Sequence, residues 1–323
     1  MQTQQLHDAF PTLNRAYNSV FQPNRMTLGL VVPLDAHHHN ALPDLARHQE
    51  RAQLADALGF AALWPRDVPF NVPSFGDAGQ MYDPFVYLGY LSAATQRIAL
   101  GVASIILPLR HPAHVAKAAA SVDQLSGGRI LLGVASGDRP EEYPALGIDF
   151  SDRGAKFRES LAYVAKMAET NPVHSGAFGE TDGRIDMLPK PVGPRVPTLI
   201  TGGSRQDPSW VSTHGDGWMT YPRDIATQTH VVNDYRARSV AAGMAPKPVM
   251  QSLYVDVVEN HADPQPIHLG FRSDLRFLRR YLHALQDLGM NHVALNLRFN
   301  QMDFEKTLKH LADELLPEFP TQG

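Results

Sequence analysis

Residues 97–139, RIALGVASIILPLRHPAHVAKAAASVDQLSGGRILLGVASGDR, restrict the fold more than any other stretch of the chain. Positions 98–107 are apolar on both parities, interrupted only by Gly101 and Ser104. A strand buried on both faces of a parallel sheet has this pattern. Pro112 follows, where a first helical turn tolerates a missing N–H. Val115, Ala118, Ala119, Val122 and Leu125 then recur at helical spacing, and Gly127-Gly128 stops the helix. Positions 130–134 read as a second buried strand. The stretch is therefore expected to be a right-handed β-α-β crossover. Its strands end in small residues, Ala103-Ser104 and Ala135-Ser136-Gly137, which let a flat ligand approach the backbone.

The rest of the chain repeats the alternation. Further strands are expected at 27–32, 60–64, 197–201, 217–221, 249–258 and 292–297. Helices are expected at 44–58, 84–95, 152–169, 208–214, 227–242, 273–288 and 304–315. Eight strands alternating with helices imply an α/β fold, a (β/α)8 TIM barrel with an insertion between strands four and five. The insertion, 171–194, reads as an excursion with a hairpin around 183–188 (GRIDML), of the kind that shapes a substrate pocket. Residues 1–26 read as an amphipathic arm packed on the outside. No composition break divides the chain, so residues 1–323 are expected to form one domain.

Composition closes several alternatives. The net charge of −4 gives no electrostatic case for nucleic acid or an anionic membrane. Cysteine is absent, which excludes disulfides, thiolate nucleophiles and cysteine-based metal sites. No run of 18 apolar residues and no apolar leader is present, so a cytoplasmic protein is expected.

In a barrel of this kind the chemistry sits on the loops after the strands. Those positions hold Asp35 and His37 to His39, then Trp64, Arg66 and Asp67, then Ala103 and Ser104. Strand four gives Ser136, Gly137, Asp138 and Arg139; strand five gives Thr201, Gly202, Gly203 and Ser204. Thr220, Tyr221, Asp256, Asn296 and Arg298 complete the set. The histidine triplet suggests a metal-dependent hydrolase, but strands four, five, six and eight lack the remaining ligands, so no metal is expected. Gly202-Gly203-Ser204, between a strand and a helix, is a candidate phosphate cradle, and Arg153 a candidate cation beside it. Trp64, Phe70, Tyr143 and Tyr221 are candidate apolar lining. No nucleophile–base pair, G-x-S-x-G elbow or Walker loop occurs. Chemistry without such groups points to a cofactor, here a flat phosphorylated one.

LGFAALW at 58–64, DPF at 83–85, the block at 97–138, and PTLITGGS with GDGW at 197–218 resemble the bacterial luciferase-like superfamily. LPLRHP, DQLSGGR and GVASGDRPEEY resemble its luciferase-type oxidoreductases in particular. The resemblance spans roughly residues 27–315. It implies a TIM barrel binding FMN, which a separate flavin reductase supplies reduced, so that O2 oxygenates a small hydrophobic or carbonyl substrate. Trp64, Ala103, Ser104, Ser136, Gly137, Arg153, Thr201, Gly202, Gly203 and Ser204 would then contact the cofactor. Ala103 and Ser104 would lie along the flavin ring, and Arg153, Gly203 and Ser204 at the phosphate. Ser136 stands where luciferases place an arginine. The histidine that luciferases carry after strand two is replaced by Trp64-Pro65-Arg66-Asp67, which makes Arg66 and Asp67 the catalytic candidates. A homodimer through the helices at 83–95 and 113–125 is also implied. The alternatives are a coenzyme F420-dependent oxidoreductase, whose long acidic tail wants more cations, and a non-catalytic flavin-binding subunit.

Overall fold

The computed structural model describes residues 9–37, 42–75, 82–259 and 263–321. The chain opens with α1 (Arg15–Val20) and then alternates β1 (Thr27–Val31), α2 (His48–Leu58), β2 (Ala62–Trp64), α3 (Pro84–Ala94), β3 (Ala99–Ile106), α4 (Pro112–Ser126) and β4 (Ile130–Ala135). There follow α5 (Glu142–Ala145), α6 (Arg153–Lys166) and a hairpin of β5 (Val173–Gly176) with β6 (Gly179–Asp182). The second half holds β7 (Thr198–Thr201), α7 (Pro208–Thr213), β8 (Gly217–Thr220), α8 (Ile225–Ala241) and β9 (Val249–Val257). It continues with β10 (Gln265–Ile267), β11 (Gly270–Ser273), α9 (Leu275–Asp287), β12 (His292–Asn296) and α10 (Phe304–Leu315). Strands β1, β2, β3, β4, β7, β8, β9 and β12 pair in parallel in that order. β12 pairs back onto β1, with Thr27 opposite His292, and closes a (β/α)8 barrel.

Side-chain parity explains why both faces of each strand are apolar. Leu28, Leu30, Leu100, Val102, Ile130, Leu132, Val293 and Leu295 point out into the layer shared with the helices. Val31, Ala62, Trp64, Ala99, Leu131, Leu199, Met219, Met250 and Ala294 fill the interior. Trp64 fits only because its neighbour is a glycine: a Cβ on Gly101 would lie 2.1 Å from Trp64 Cε3. Trp64 is fully buried. Gly101→Ala is therefore expected to overpack the interior and cost about 2 kcal/mol, read as a lower urea midpoint. An unchanged midpoint would mean that the indole lies elsewhere.

A buried hydrogen-bond chain ties this interior to the arm. An indole N–H can only donate, so in the 2.9 Å contact between Trp64 Nε1 and His292 Nε2 the imidazole accepts. The His292 proton is thus on Nδ1, which donates to Thr27 Oγ1 at 2.7 Å, and the Thr27 hydroxyl donates to the Val20 carbonyl at 2.8 Å. Burial pulls the His292 pKa down to about 3. The unfolded chain takes up this proton below about pH 6.5 and the folded chain does not. Stability contributed by His292 is therefore full above pH 6.5 and lost toward pH 3, at about 1 kcal/mol per pH unit. His292→Gln keeps an acceptor for Trp64 and a donor for Thr27, and is expected to flatten that slope between pH 6 and 4. An identical acid slope in the variant would refute this origin.

Three expectations are corrected. Part of the arm is not on the outside: Leu13, Ala16, Tyr17, Val20 and Phe21 are buried against the barrel interior. Asn14 Nδ2 donates to Ile130 O at 2.9 Å and Tyr17 Oη to Asp216 O at 2.8 Å, so α1 covers the end where the strands begin. The hairpin of the excursion lies at 173–182, and residues 183–188 form no strand. The excursion does not shape the large cavity either. It packs on α4, where Gln124 Nε2 donates to Lys190 O at 2.8 Å and the Val192 N–H to Asp123 at 2.7 Å.

Candidate active site

All eight barrel strands, or the loops that follow them, line one cavity of about 1100 Å³ at the carboxyl end. Arg66, Asp67, Ala103, Ser104, Ser136, Gly137, Arg153, Thr201, Gly202, Gly203 and Ser204 all reach it. Trp64 does not. Its place as a cofactor contact is corrected by the inward pleat of β2, which puts the indole in the interior on His292.

One corner of the cavity gathers hydrogen-bond donors. The loop 202–206 is pinned at its first residue: the Gly202 N–H donates to Met219 O at 2.8 Å and Trp218 Nε1 donates to Gly202 O at 2.9 Å. Ser204 Oγ donates to Thr201 O at 2.8 Å. Gly202, Ser204 and Arg205 adopt φ of 54°, 43° and 62°, which curls the loop. Among the described residues, the successive N–H groups of Gly203, Ser204 and Arg205 meet no backbone acceptor. Such an array is an anion-binding concavity. The first turn of α6 abuts it, since Gln206 Nε2 donates to both Gly154 O and Ser204 O at 2.9 Å. Arg153, on that turn, lies over the Phe150 ring at 3.5 Å and donates from Nη1 to Phe150 O at 2.8 Å. Its Nε is buried without a hydrogen-bond partner among the described residues. A buried guanidinium N–H left unpaired is costly, and an anion in this corner would satisfy it.

The floor is small and flat. The β3–β4 register shifts between Val102 and Ile105, so two residues of β3 oppose one of β4. That bulge turns both Ala103 and Ser104 to the cavity. Ser104 Oγ hydrogen-bonds Thr201 Oγ1, which also lies 3.2 Å from Met219 Sδ. Beside the floor, the Tyr143 hydroxyl donates to the Ser136 carbonyl. Burial, opposed by Arg153, pushes that phenol up to about 12, so it stays a donor at working pH.

Asp67 is already engaged. Its Oδ2 accepts from the Ile106 N–H at 3.1 Å and from Arg110 Nε at 3.0 Å, and its Oδ1 accepts from Arg110 Nη2 at 2.7 Å. Arg110 also bonds Asp83 at 2.9 Å, and Asp83 caps α3. Burial works against the Arg110 charge, but the bonds and charges of Asp67 and Asp83 outweigh it and raise its pKa. A carboxylate clamped this way holds the ends of β2 and β3 together. Asp67 lines the cavity beside Arg66, with its carboxylate held by Arg110 and by the Ile106 N–H.

The opposite side of the cavity was missed. Tyr254, His268, Leu269 and Phe299 line it, and two of them come from the turn joining β10 to β11. The sequence around that turn, DPQPIHLGF, is short and proline-bearing and reads as loop. Its one signal is the glycine at 270, between residues that alternate.

Of the histidine triplet, His38 and His39 lie outside the described residues. His37 is buried and its N–H donates to Arg298 O at 2.9 Å. Among the described residues no group of three or more His, Asp or Glu side chains is arranged around a metal position. No helix among them is long and apolar enough to cross a membrane.

An uncharacterised protein of Mycobacterium tuberculosis is 34% identical over 191 residues, covering 54% of this chain and 67% of that one. The F420-dependent hydroxymycolic acid dehydrogenase of the same organism is 26% identical over 200 residues, covering 60% of this chain and 54% of its own length. Among solved structures, the oxygenating constituent of 3,6-diketocamphane monooxygenase from Pseudomonas putida, in complex with FMN, superposes with a TM-score of 0.69. That match covers 92% of this chain and all of the other at 16% identity, and so speaks for the fold alone. A sequence profile of the luciferase-like monooxygenases matches residues 26–322, nearly the whole chain. The chain belongs to the luciferase-like monooxygenase family.

Proposed function

We propose that this protein is a flavin-dependent monooxygenase that takes reduced FMN from a separate flavin reductase and uses O2 to oxygenate a small organic substrate. The observation that carries the reading is the donor corner: among the described residues, three N–H groups at 203–205 meet no backbone acceptor and the buried Arg153 Nε has no hydrogen-bond partner. A phosphomonoester fits that donor set. Gly203, Ser204 and Arg153 would hold the phosphate. Ala103 and Ser104 would lie under the flavin ring, with Ser136 and Gly137 along its edge. The Ser104–Thr201 hydroxyl pair can offer one hydrogen bond to a ring heteroatom. Reduced FMN, when bound, supplies the electrons that activate O2. Arg66 would orient the substrate or the activated oxygen, and Asp67 with Arg110 would keep that wall in register.

Residues 1–323 would act as one domain, in the cytoplasm, and as a homodimer. The exposed Val86 and Tyr90 on α3 and Leu125 on α4 are the apolar positions available for that contact. Light scattering of the purified protein reads the dimer directly.

A second reading has one specific observation behind it. Arg205 is exposed at the cavity edge beside the donor corner, where the acidic tail of coenzyme F420 would find a further cation. FMN and F420 titrated in parallel separate the two. The decisive assay supplies reduced FMN from a flavin reductase and follows 18O from O2 into product across a substrate panel. Labelled product is expected. O2 consumption no greater than that of the reductase alone, across carbonyl and aromatic substrates, would overturn the proposal and leave a flavin-binding subunit.

A further inference from the structure

The two halves of the cavity are unlike, and a hairpin that the barrel itself does not need builds the second. β11 runs parallel to β9, with Gly270 opposite Tyr254, and β10 returns antiparallel beside β11. The seat is close. The Tyr254 N–H donates to Leu269 O at 3.2 Å, and a Cβ on Gly270 would lie 1.8 Å from Tyr254 O. Only glycine lets two backbones meet like this, so the hairpin is a fixed wall.

Its turn brings His268 edge-on to Tyr254, with ring centroids 5.5 Å apart. Phe299, after β12, stacks on Tyr254 at 5.2 Å and 29°. All three rings line the cavity on the β9–β12 side, away from the small residues of β3, β4 and β7. On the same side, Asn296 turns Oδ1 back to the Arg298 N–H at 3.1 Å. Its amide NH2 takes no part in that bond and can donate within the cavity that Asn296 lines. The volume of about 1100 Å³ is above what one drug-sized ligand fills, so two molecules can share it.

We propose that this second half binds a planar aromatic substrate with an oxygen substituent, its ring against Tyr254, His268 and Phe299 and its oxygen at the Asn296 amide. Aromatic neighbours prefer another ring over a saturated chain of equal area, because the ring's edge and face carry opposite partial charge. A fixed wall of this kind selects shape without an ordering cost on binding. As a substrate site, this chamber rests on the monooxygenase reading above; its ligand preference can be measured without that reading.

The test is calorimetric titration with acetophenone and with its saturated counterpart, cyclohexyl methyl ketone, on the full chain with and without FMN. The aromatic ketone is expected to bind about fivefold more tightly. Phe299→Leu and Tyr254→Leu are each expected to bring the two ketones to about equal affinity while FMN affinity moves less than about twofold. Equal affinity for the two ketones in the unaltered protein would overturn the proposal. So would a preference that neither variant reduces. Should FMN fail to bind, the monooxygenase reading falls, and the ketone preference on the protein alone still decides this one.

Discussion

Arg153→Met is expected to weaken FMN binding about a hundredfold while leaving riboflavin binding within about threefold. The two ligands differ by the phosphate alone, so the pair of titrations isolates the donor corner from the floor. Arg153 is not a surface arginine that happens to be near. It is held over Phe150 at 3.5 Å, its Nη1 donates to the Phe150 carbonyl, and its Nε is buried without a partner among the described residues. A charge-assisted bond in such a place contributes about 1.5–3 kcal/mol, which is roughly one to two decades in affinity. Methionine keeps much of the apolar contact with Phe150 and removes the charge. Equal losses for FMN and riboflavin would mean that Arg153 supports the pocket's shape. No loss for either would put the phosphate somewhere else.

Asp67→Asn is expected to lower stability by about 4 kcal/mol, because it breaks a buried ion pair from one side. Asp67 is 3% exposed and accepts three N–H bonds, two from Arg110 and one from Ile106. An asparagine can keep one acceptor, but its NH2 then faces donors. Arg110→Met should be comparably costly, since it strands the carboxylate. Because both single changes break the same contact, the double variant should cost clearly less than their sum. A change of under about 0.5 kcal/mol in Asp67→Asn would show that the clamp does not hold these strand ends. If the variant folds at low temperature, its turnover should fall with its FMN affinity little changed, as expected of a group that positions the wall.

These residues also show how much was legible. The barrel could be read because burial on both strand faces leaves a mark that few other architectures produce, as at 98–107. That Gly202-Gly203-Ser204 and Arg153 meet in one cavity could be read because they are local chemistry at strand and helix ends. What could not be read depends on contacts between distant segments. Trp64 sits at a strand end like a ligand contact, yet Gly101 and His292, far along the chain, draw it inside. Asp67 looks available until Arg110 folds onto it. The polar opening of the arm hid Tyr17 and Phe21, whose burial depends on the space beneath the barrel. The hairpin at 265–273 lacks the alternating branched residues of a strand and is held by backbone contact at Gly270, which leaves little trace in side-chain pattern.

A crystal structure of the protein with FMN would test the flavin assignment at its root. The expected result is the phosphate in the corner of Gly203, Ser204 and Arg153, with the ring over Ala103 and Ser104. A cavity without flavin at saturating FMN, or a phosphate bound away from residues 203–205, would contradict it.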